Sequence, residues 1–130
     1  MENEIGNYLK VFVWRTPQKK HDTLVKLCEP AKKLFKNVGV HQEIFLLKEN
    51  SDEQKEMCKK IGFTNIAKAV AANEDEDVWL EVQFYKDQKH LDDVSEMMNK
   101  DESASQLGRQ FMDLITPSSC IEGWFSHINF

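Results

Sequence analysis

The sequence lacks any long hydrophobic run and any recognisable export signal. No apolar stretch approaches the roughly 18 residues that are needed to cross a bilayer. Residues 1–7 are acidic and have neither the basic start nor the apolar centre and small-residue cleavage site of a secretory signal. We therefore expect neither an integral membrane protein nor an exported one, and we predict a cytoplasmic location.

Cysteine is also scarce, and its spacing excludes the usual cysteine-based sites. Cys28, Cys58 and Cys120 are odd in number and far apart, with no Cys-x-x-Cys pair, whereas zinc sites and redox couples need closely spaced ligands. The acidic run at residues 74–77 lacks the glycine and the spaced ligands of a calcium loop. We predict reduced thiols, no metal and no cofactor.

Positive charge is in deficit. The net charge is −5 at pH 7 and the pI is near 5.4, which opposes nucleic-acid binding because that affinity comes from Lys and Arg displacing counterions. An apolar content of 41% and a charged content of 30% are ordinary for a globular protein, and 130 residues suffice for one core. We predict a single domain over residues 1–130, with neither nucleic acid nor membrane as a partner.

Four segments have the composition and alternation of β-strands. They are residues 8–15, 40–47, 78–85 and 120–130. Because side chains alternate sides along a strand, the first strand has an aliphatic face with Leu9, Val11 and Val13. Its other face is larger and amphipathic, with Phe12 and Trp14. This amphipathic face is a candidate wall of a cavity.

Helical spacing of apolar residues predicts helices at residues 18–38, 51–62, 87–98 and 103–115. Pro30 falls inside the first helix, where it removes a hydrogen bond and clashes with the preceding turn, so we expect a kink or a break there. Residues 63–72 fit either an edge strand or an extended connection that lies along the sheet.

The order of these elements is that of a split β-α-β sheet. It predicts an α+β fold, a ferredoxin-like antiparallel sheet with helices on one face. Large apolar residues are then left on the opposite face unless something covers them, namely Trp14, Phe45, Trp79 and Trp124. We expect a twofold homodimer that packs sheet face against sheet face.

One part of the chain resembles a known family. The marks are Ala69-Val70, the acidic turn, a strand that ends Phe84-Tyr85-Lys86, His90 and, more weakly, residues 120–125. Over residues 66–95 the sequence is similar, without a gap, to the YbaA-like family of small bacterial proteins, an uncharacterised domain of unknown function. That family resembles the dimeric α/β barrels, so the resemblance implies two ferredoxin-like subunits around a pocket. Members of that wider group include cofactor-free monooxygenases, isomerases and proteins without known activity.

Two histidines are candidate catalytic bases. The resemblance singles out His90 as a base or a ligand-orienting group. His41 shares a face of its strand with Glu43, so this pair is a candidate base and orienting carboxylate, although Phe45 on the same side fits a buried interface equally well. The position of His127 is open in the same way.

Aromatic and acidic residues of the strands are candidate ligand contacts. Glu81 and Tyr85 share a face with Trp79, so they either project into the barrel and bind a polar group of a ligand or form dimer contacts. The full set of predicted ligand-binding residues is Trp14, Trp79, Glu81, Tyr85 and Trp124.

Three functions fit these features. The first is binding of a small apolar or aromatic metabolite, because a face rich in Trp and Tyr suits ring stacking. The second is a cofactor-independent monooxygenase or isomerase that uses His90 or His41 as its base. The third is a protein-interaction module whose barrel is filled by side chains.

Overall fold

The computed structural model describes residues 6–128, and its centre is a four-stranded antiparallel sheet. The strands are β1 (Tyr8–Pro17), β2 (His41–Leu46), β3 (Glu76–Tyr85) and β4 (Ile121–Ser126). Their order across the sheet is β2-β3-β1-β4. All four predicted strands are present. Residues 1–5 and the last two residues of the predicted fourth strand lie outside the described residues.

Helices connect these strands in the order that the apolar spacing predicts. Those of the described residues are α1 (His21–Asn37), α2 (Asp52–Ile61), α3 (Ile66–Ala69), α4 (Gln88–Lys100) and α5 (Glu102–Leu114). A 3-10 turn over Gln18–Lys20 leads into α1. Between residues 6 and 128, no helix has the length and apolar character that a membrane span requires.

Polar side chains at the helix ends explain where the later helices begin. Ser51 accepts a hydrogen bond from the backbone N–H of Gln54 at 3.2 Å, and the Gln54 side chain accepts one from the N–H of Ser51 at 3.0 Å. This capping box starts α2, and Gly62, with φ of 76°, ends it. Asp87 and Asp101 cap α4 and α5 in the same way, each by accepting a backbone N–H.

Two local predictions differ from the structure. Pro30 does not break α1, which continues to Asn37. Pro30 and Lys26, whose carbonyl loses its helical donor, are both exposed, so water is available to that carbonyl. Residues 63–72 contain the short helix α3 instead of a strand, because the side chain of Asn65 accepts the N–H of Lys68 at 2.8 Å and starts a helical turn.

One face of the sheet, called the helix-covered face below, packs against α1, α4 and α5. Trp14 and Trp79 stack with ring centroids 5.9 Å apart and contact Leu24 of α1, and side chains of α5 complete this cluster. A second cluster joins Tyr85 to Val94 of α4. The order of elements and strands fits a ferredoxin-like α+β sheet.

The prediction that the tryptophans lie on the uncovered face is wrong. Trp14 and Trp79 are only 2% and 4% exposed beneath the helices. Trp124 also lies on the helix-covered face, where its ring stacks on Tyr8, so only Phe45 of the four predicted residues lies on the opposite face. Alternation along a strand shows which residues share a face, but not which face the helices cover.

The opposite face, called the open face below, is nevertheless apolar. Cross-strand pairing sets its side chains next to one another, with Val11 opposite Val82. Its apolar members are Leu9, Val11, Val13, Phe45, Val78, Leu80, Val82, Phe84, Ile121 and Phe125. Phe45, Ile121 and Phe125 remain 51%, 56% and 55% exposed. An apolar, uncovered sheet face is therefore present, but it is mainly aliphatic and phenyl, and it contains no tryptophan.

Candidate functional site

A cavity of about 770 Å³ lies between the helix-covered face and the helices α1, α4 and α5. Phe12 and Trp14 of β1 and Glu81 of β3 form part of its sheet wall. Ala31 of α1 and Ala104 of α5 also line it, and the small side chains of these two residues leave space unfilled. The larger apolar residues of the helix wall include Leu34, Phe35, Leu107 and Phe111. The result is a mainly apolar cavity with one carboxylate in its wall.

Side-chain amides hold that carboxylate in place. Gln42 Nε2 donates to Glu81 Oε2 at 2.8 Å, and Gln83 Nε2 donates to the same oxygen at 2.5 Å. The hydroxyl of Tyr85 donates to Gln83 Oε1 at 2.7 Å. Gln42, Gln83 and Tyr85 are buried, so these hydrogen bonds are shielded from water. The network fixes the Glu81 carboxylate at the wall of the cavity.

The Glu81 charge affects the surrounding acids. Burial, followed by the Glu81 charge, raises the pKa of Tyr85 to about 12. Burial and then Glu81 also raise the pKa of the Cys28 thiol, and burial, Glu81 and Glu122 raise the pKa of Cys120, which lines the cavity. Because the thiolate is the reactive form of cysteine, these two thiols are poor nucleophiles at neutral pH.

No basic side chain of residues 6–128 forms an ion pair with Glu81. Lys10 lies on the same sheet face, but its Nζ is 3.5 Å from Glu122 and 5.8 Å from the centre of the Phe12 ring. Arg109 and Asp113 of α5 line the cavity from the helix side. Glu81 is therefore stabilised by amide donors and has no cationic partner within residues 6–128.

His90 lies outside the cavity lining and has both ring nitrogens engaged with the backbone. Its Nδ1 accepts the N–H of Lys86 at 3.1 Å, and its Nε2 is 3.2 Å from the carbonyl oxygen of Val38. A carbonyl can only accept, so this geometry assigns the hydrogen to Nε2. The ring also packs edge-on against Tyr85 at 5.4 Å. These contacts join α4 to the turn that precedes β2.

His41 and Glu43 lie on the open face, away from the cavity. His41 Nε2 is 3.1 Å from Glu43 Oε2, and the His41 ring packs against Phe84 at 5.6 Å. Lys32 Nζ donates to Glu43 Oε1 at 3.0 Å. The hydrogen bond from Lys32 is the main cause that lowers the pKa of Glu43, and it outweighs the opposing effect of burial. The charges of Lys32 and His41 lower this pKa further. His41 and Glu43 are therefore in contact as predicted, but neither of them lines the cavity.

The five predicted ligand contacts share one sheet face but are not equally close to the cavity. Trp14 and Glu81 line it. Tyr85 is linked to Glu81 through Gln83. Trp79 is held beneath the helices, where its Nε1 donates to Thr16 Oγ1 at 2.9 Å, and Trp124 packs on Tyr8 and Tyr85.

Sequence reasoning missed the two glutamines that orient Glu81. Gln83 lies between Glu81 and Tyr85 on the same face of β3. Gln42 points to this face from the neighbouring strand β2. An amide side chain at a strand position that should be buried is the signal that was available, because buried polar groups need hydrogen-bond partners. The helix side of the cavity gave no comparable signal.

A second depression, of about 600 Å³, lies where β3 begins, beside α2 and α3. Its wall includes Leu47, Phe63, Val78 and Glu76. Glu76 is already paired with Arg15 at 2.6 Å and accepts the Thr116 hydroxyl at 2.7 Å. Since its carboxylate has protein partners, this depression offers less for a ligand than the cavity beside Glu81.

The described residues do not include a metal site. Across positions 6–128, His, Cys, Asp and Glu side chains do not gather in any group of three or more that could hold a metal ion.

Comparison with known proteins gives one family and no characterised relative. The family described as Protein of unknown function (DUF1428) matches residues 7–114. No curated protein matches the chain significantly. The matched span runs from β1 to the end of α5 and includes Glu81 and both glutamines that contact it. The chain therefore belongs to the DUF1428 family of proteins of unknown function.

Proposed function

We propose that this protein binds a small, predominantly apolar molecule in the cavity between the helix-covered face and α5. The observation that carries the proposal is the cavity itself, about 770 Å³ in volume and walled by Phe12, Trp14, Phe35 and Phe111. Pockets for small organic ligands span roughly 300–1,000 Å³ and are mainly apolar with a few placed polar groups. Aromatic walls of this kind suit stacking against a ring.

The proposal includes a homodimer formed through the open face. Phe45, Ile121 and Phe125 of that face are each more than half exposed, and exposed apolar patches mark contact surfaces. A second copy supplies a matching surface through a twofold axis. This assembly is the dimeric α/β barrel that the YbaA-like resemblance implies. A cytoplasmic location likewise stays a prediction.

Binding without chemistry is favoured over the other two hypotheses. A monooxygenase or isomerase that uses His90 or His41 as its base requires one of them at the ligand, and neither lines the cavity. A protein-interaction module with a filled barrel leaves the cavity on the helix-covered face without a role. The position and size of the cavity therefore support ligand binding as the first choice.

Blocking the cavity tests the proposal. We expect Ala104→Phe to fill it from α5 and to abolish binding of 1-methylnaphthalene, while Ser95→Phe, on an exposed position of α4, adds the same ring outside it. The measurement is the shift of the thermal unfolding midpoint on adding the probe. A probe at one hundred times its Kd stabilises the folded state by about 2.7 kcal/mol.

The Ser95→Phe variant is the control for an added aromatic surface. It should keep the shift of the unmodified protein. An equal shift in the Ala104→Phe variant, or no shift with this probe or with related aromatic hydrocarbons in the unmodified protein, contradicts the proposal.

A further inference from the structure

We propose that the cavity selects apolar ligands that carry a hydrogen-bond donor, above all a protonated amine, and that Glu81 receives this donor. This inference rests on the proposed binding function and adds the chemical class of the ligand. It follows from three features of the cavity wall. They are the Glu81 oxygen that accepts no donor from residues 6–128, the lack of an ion pair between Glu81 and those residues, and the adjacent aromatic rings.

One carboxylate oxygen of Glu81 is occupied and the other is available. Oε2 accepts both Gln42 and Gln83, whereas no donor of residues 6–128 contacts Oε1. A carboxylate has capacity for about four hydrogen bonds, so Oε1 can accept about two donors from a ligand. Glu81 lines the cavity, and a ligand bound there can donate to Oε1.

The missing cation is the second feature. Glu81 has amide donors but no Lys, Arg or His partner among the described residues. Arg109 and Asp113, four residues apart on α5, line the opposite wall with opposite charges. Lys10 is engaged with Glu122. A ligand cation beside Glu81 would form the ion pair that Glu81 lacks among the described residues.

The aromatic rings beside Glu81 are the third feature. Phe12 is the cross-strand partner of Glu81, and Trp14 lies on the same face two residues further along β1. Both line the cavity. Aromatic faces attract cations within about 6 Å, so a ligand ammonium at Oε1 would gain from these rings as well. An apolar body would occupy the space beneath α5.

A matched set of probes on one naphthalene body tests the preference. The probes are 1-methylnaphthalene, 1-naphthylmethylamine and 1-naphthylacetic acid, and their Kd values are measured by equilibrium dialysis at pH 7. We expect the amine to bind about tenfold more tightly than the methyl compound, because hydrogen bonds to charged groups have that strength. The acid should bind more weakly than both.

Two variants test whether Glu81 causes the preference for the amine. Glu81→Gln should bring the Kd of the amine to that of 1-methylnaphthalene, with both probes measured on the same variant. A circular dichroism spectrum equal to that of the unmodified protein shows that the variant is folded. Glu53→Gln removes an exposed charge of α2 outside the cavity lining, and it should retain the tenfold preference. The comparison of probes on the unmodified protein needs no variant.

The outcomes separate this inference from the proposed function. Binding of 1-methylnaphthalene without any preference for the amine overturns the role of Glu81 and leaves the proposed function standing. A preference that survives Glu81→Gln in a folded variant also overturns it. Failure of all three probes to bind overturns the proposed function and this inference together.

Discussion

Glu81 lies at the middle of the helix-covered face and is linked to Tyr85 by one glutamine. Tyr85 donates to Gln83, and Gln83 and Gln42 both donate to Glu81. A buried network of this kind is costly when incomplete, because each unpaired polar group loses its water without replacement. Substitution of any one of these four residues should therefore alter the hydrogen bonds of the others.

The raised pKa of Tyr85 predicts a loss of stability at high pH. Its pKa is about 12 in the folded protein against 10.0 for an unperturbed tyrosine. Between these values the unfolded chain releases the proton and the folded protein keeps it, so the free energy of unfolding falls as pH rises from about 10 to 12. Each unit of the pKa difference corresponds to about 1.4 kcal/mol. We therefore expect the free energy of unfolding to fall by about 2 to 3 kcal/mol over this pH range.

Tyr85→Phe provides the comparison for this prediction. The variant should be less stable at pH 8 by about 1 to 2 kcal/mol, because Gln83 Oε1 loses its donor. Its stability should then fall less steeply from pH 10 to 12 than that of the unmodified protein. Urea unfolding at several pH values measures both curves, and parallel curves would rule out a shifted Tyr85.

At the scale of elements, α5 forms much of the helix wall of the cavity, and its start depends on one side chain. Asp101 ends α4 and caps α5, accepting the N–H of Ala104 at 3.1 Å. No residue of α5 is fully buried. A helix with this little burial relies more heavily on its cap, since packing supplies most helical stability in proteins.

We expect Asp101→Ala to destabilise the protein by about 1 kcal/mol, the usual effect of losing an N-cap. Amide hydrogen exchange should increase most in the first turn of α5. Asp93→Ala is the control, because Asp93 is exposed and pairs with Lys89 four residues away, an interaction of about 0.5 kcal/mol or less. Equal losses of stability in the two variants would contradict a specific contribution of the Asp101 cap.

The elements were easier to predict from sequence than their packing. Alternation in β3 and the caps at Ser51 and Asp87 are local signals, and they gave the correct type of element. Pro30 was expected to disturb α1 and does not break it, because the affected turn faces water. The short helix at residues 66–69 was missed, since four residues carry too little periodicity.

At the scale of the whole molecule, the open face predicts the quaternary structure. Val11 and Val82 are paired at its centre, so a charge there should prevent two open faces from meeting. We expect the unmodified protein to have about twice its chain mass of 15.2 kDa in light scattering, and Val11→Lys to have the mass of one chain with the same circular dichroism spectrum.

The control for the dimer is Gln88→Lys, which adds the same charge at an exposed position of α4. This variant should keep the mass of the unmodified protein. A particle of one chain mass for the unmodified protein over a wide concentration range would contradict the homodimer, and it would leave the cavity and its ligand test unaffected.

The amino-acid sequence by itself determined the strands and most of the helices, and it determined which strand residues share a face, because these depend on neighbours within a few positions. The alternation along β3 also placed Glu81 and Tyr85 on one side of that strand. Only the tertiary structure decided that α1, α4 and α5 cover this side, that they leave a cavity above it, and that Gln42 meets Glu81 from 39 positions away. Such contacts depend on how whole elements pack, and no local pattern encodes the space that remains between them.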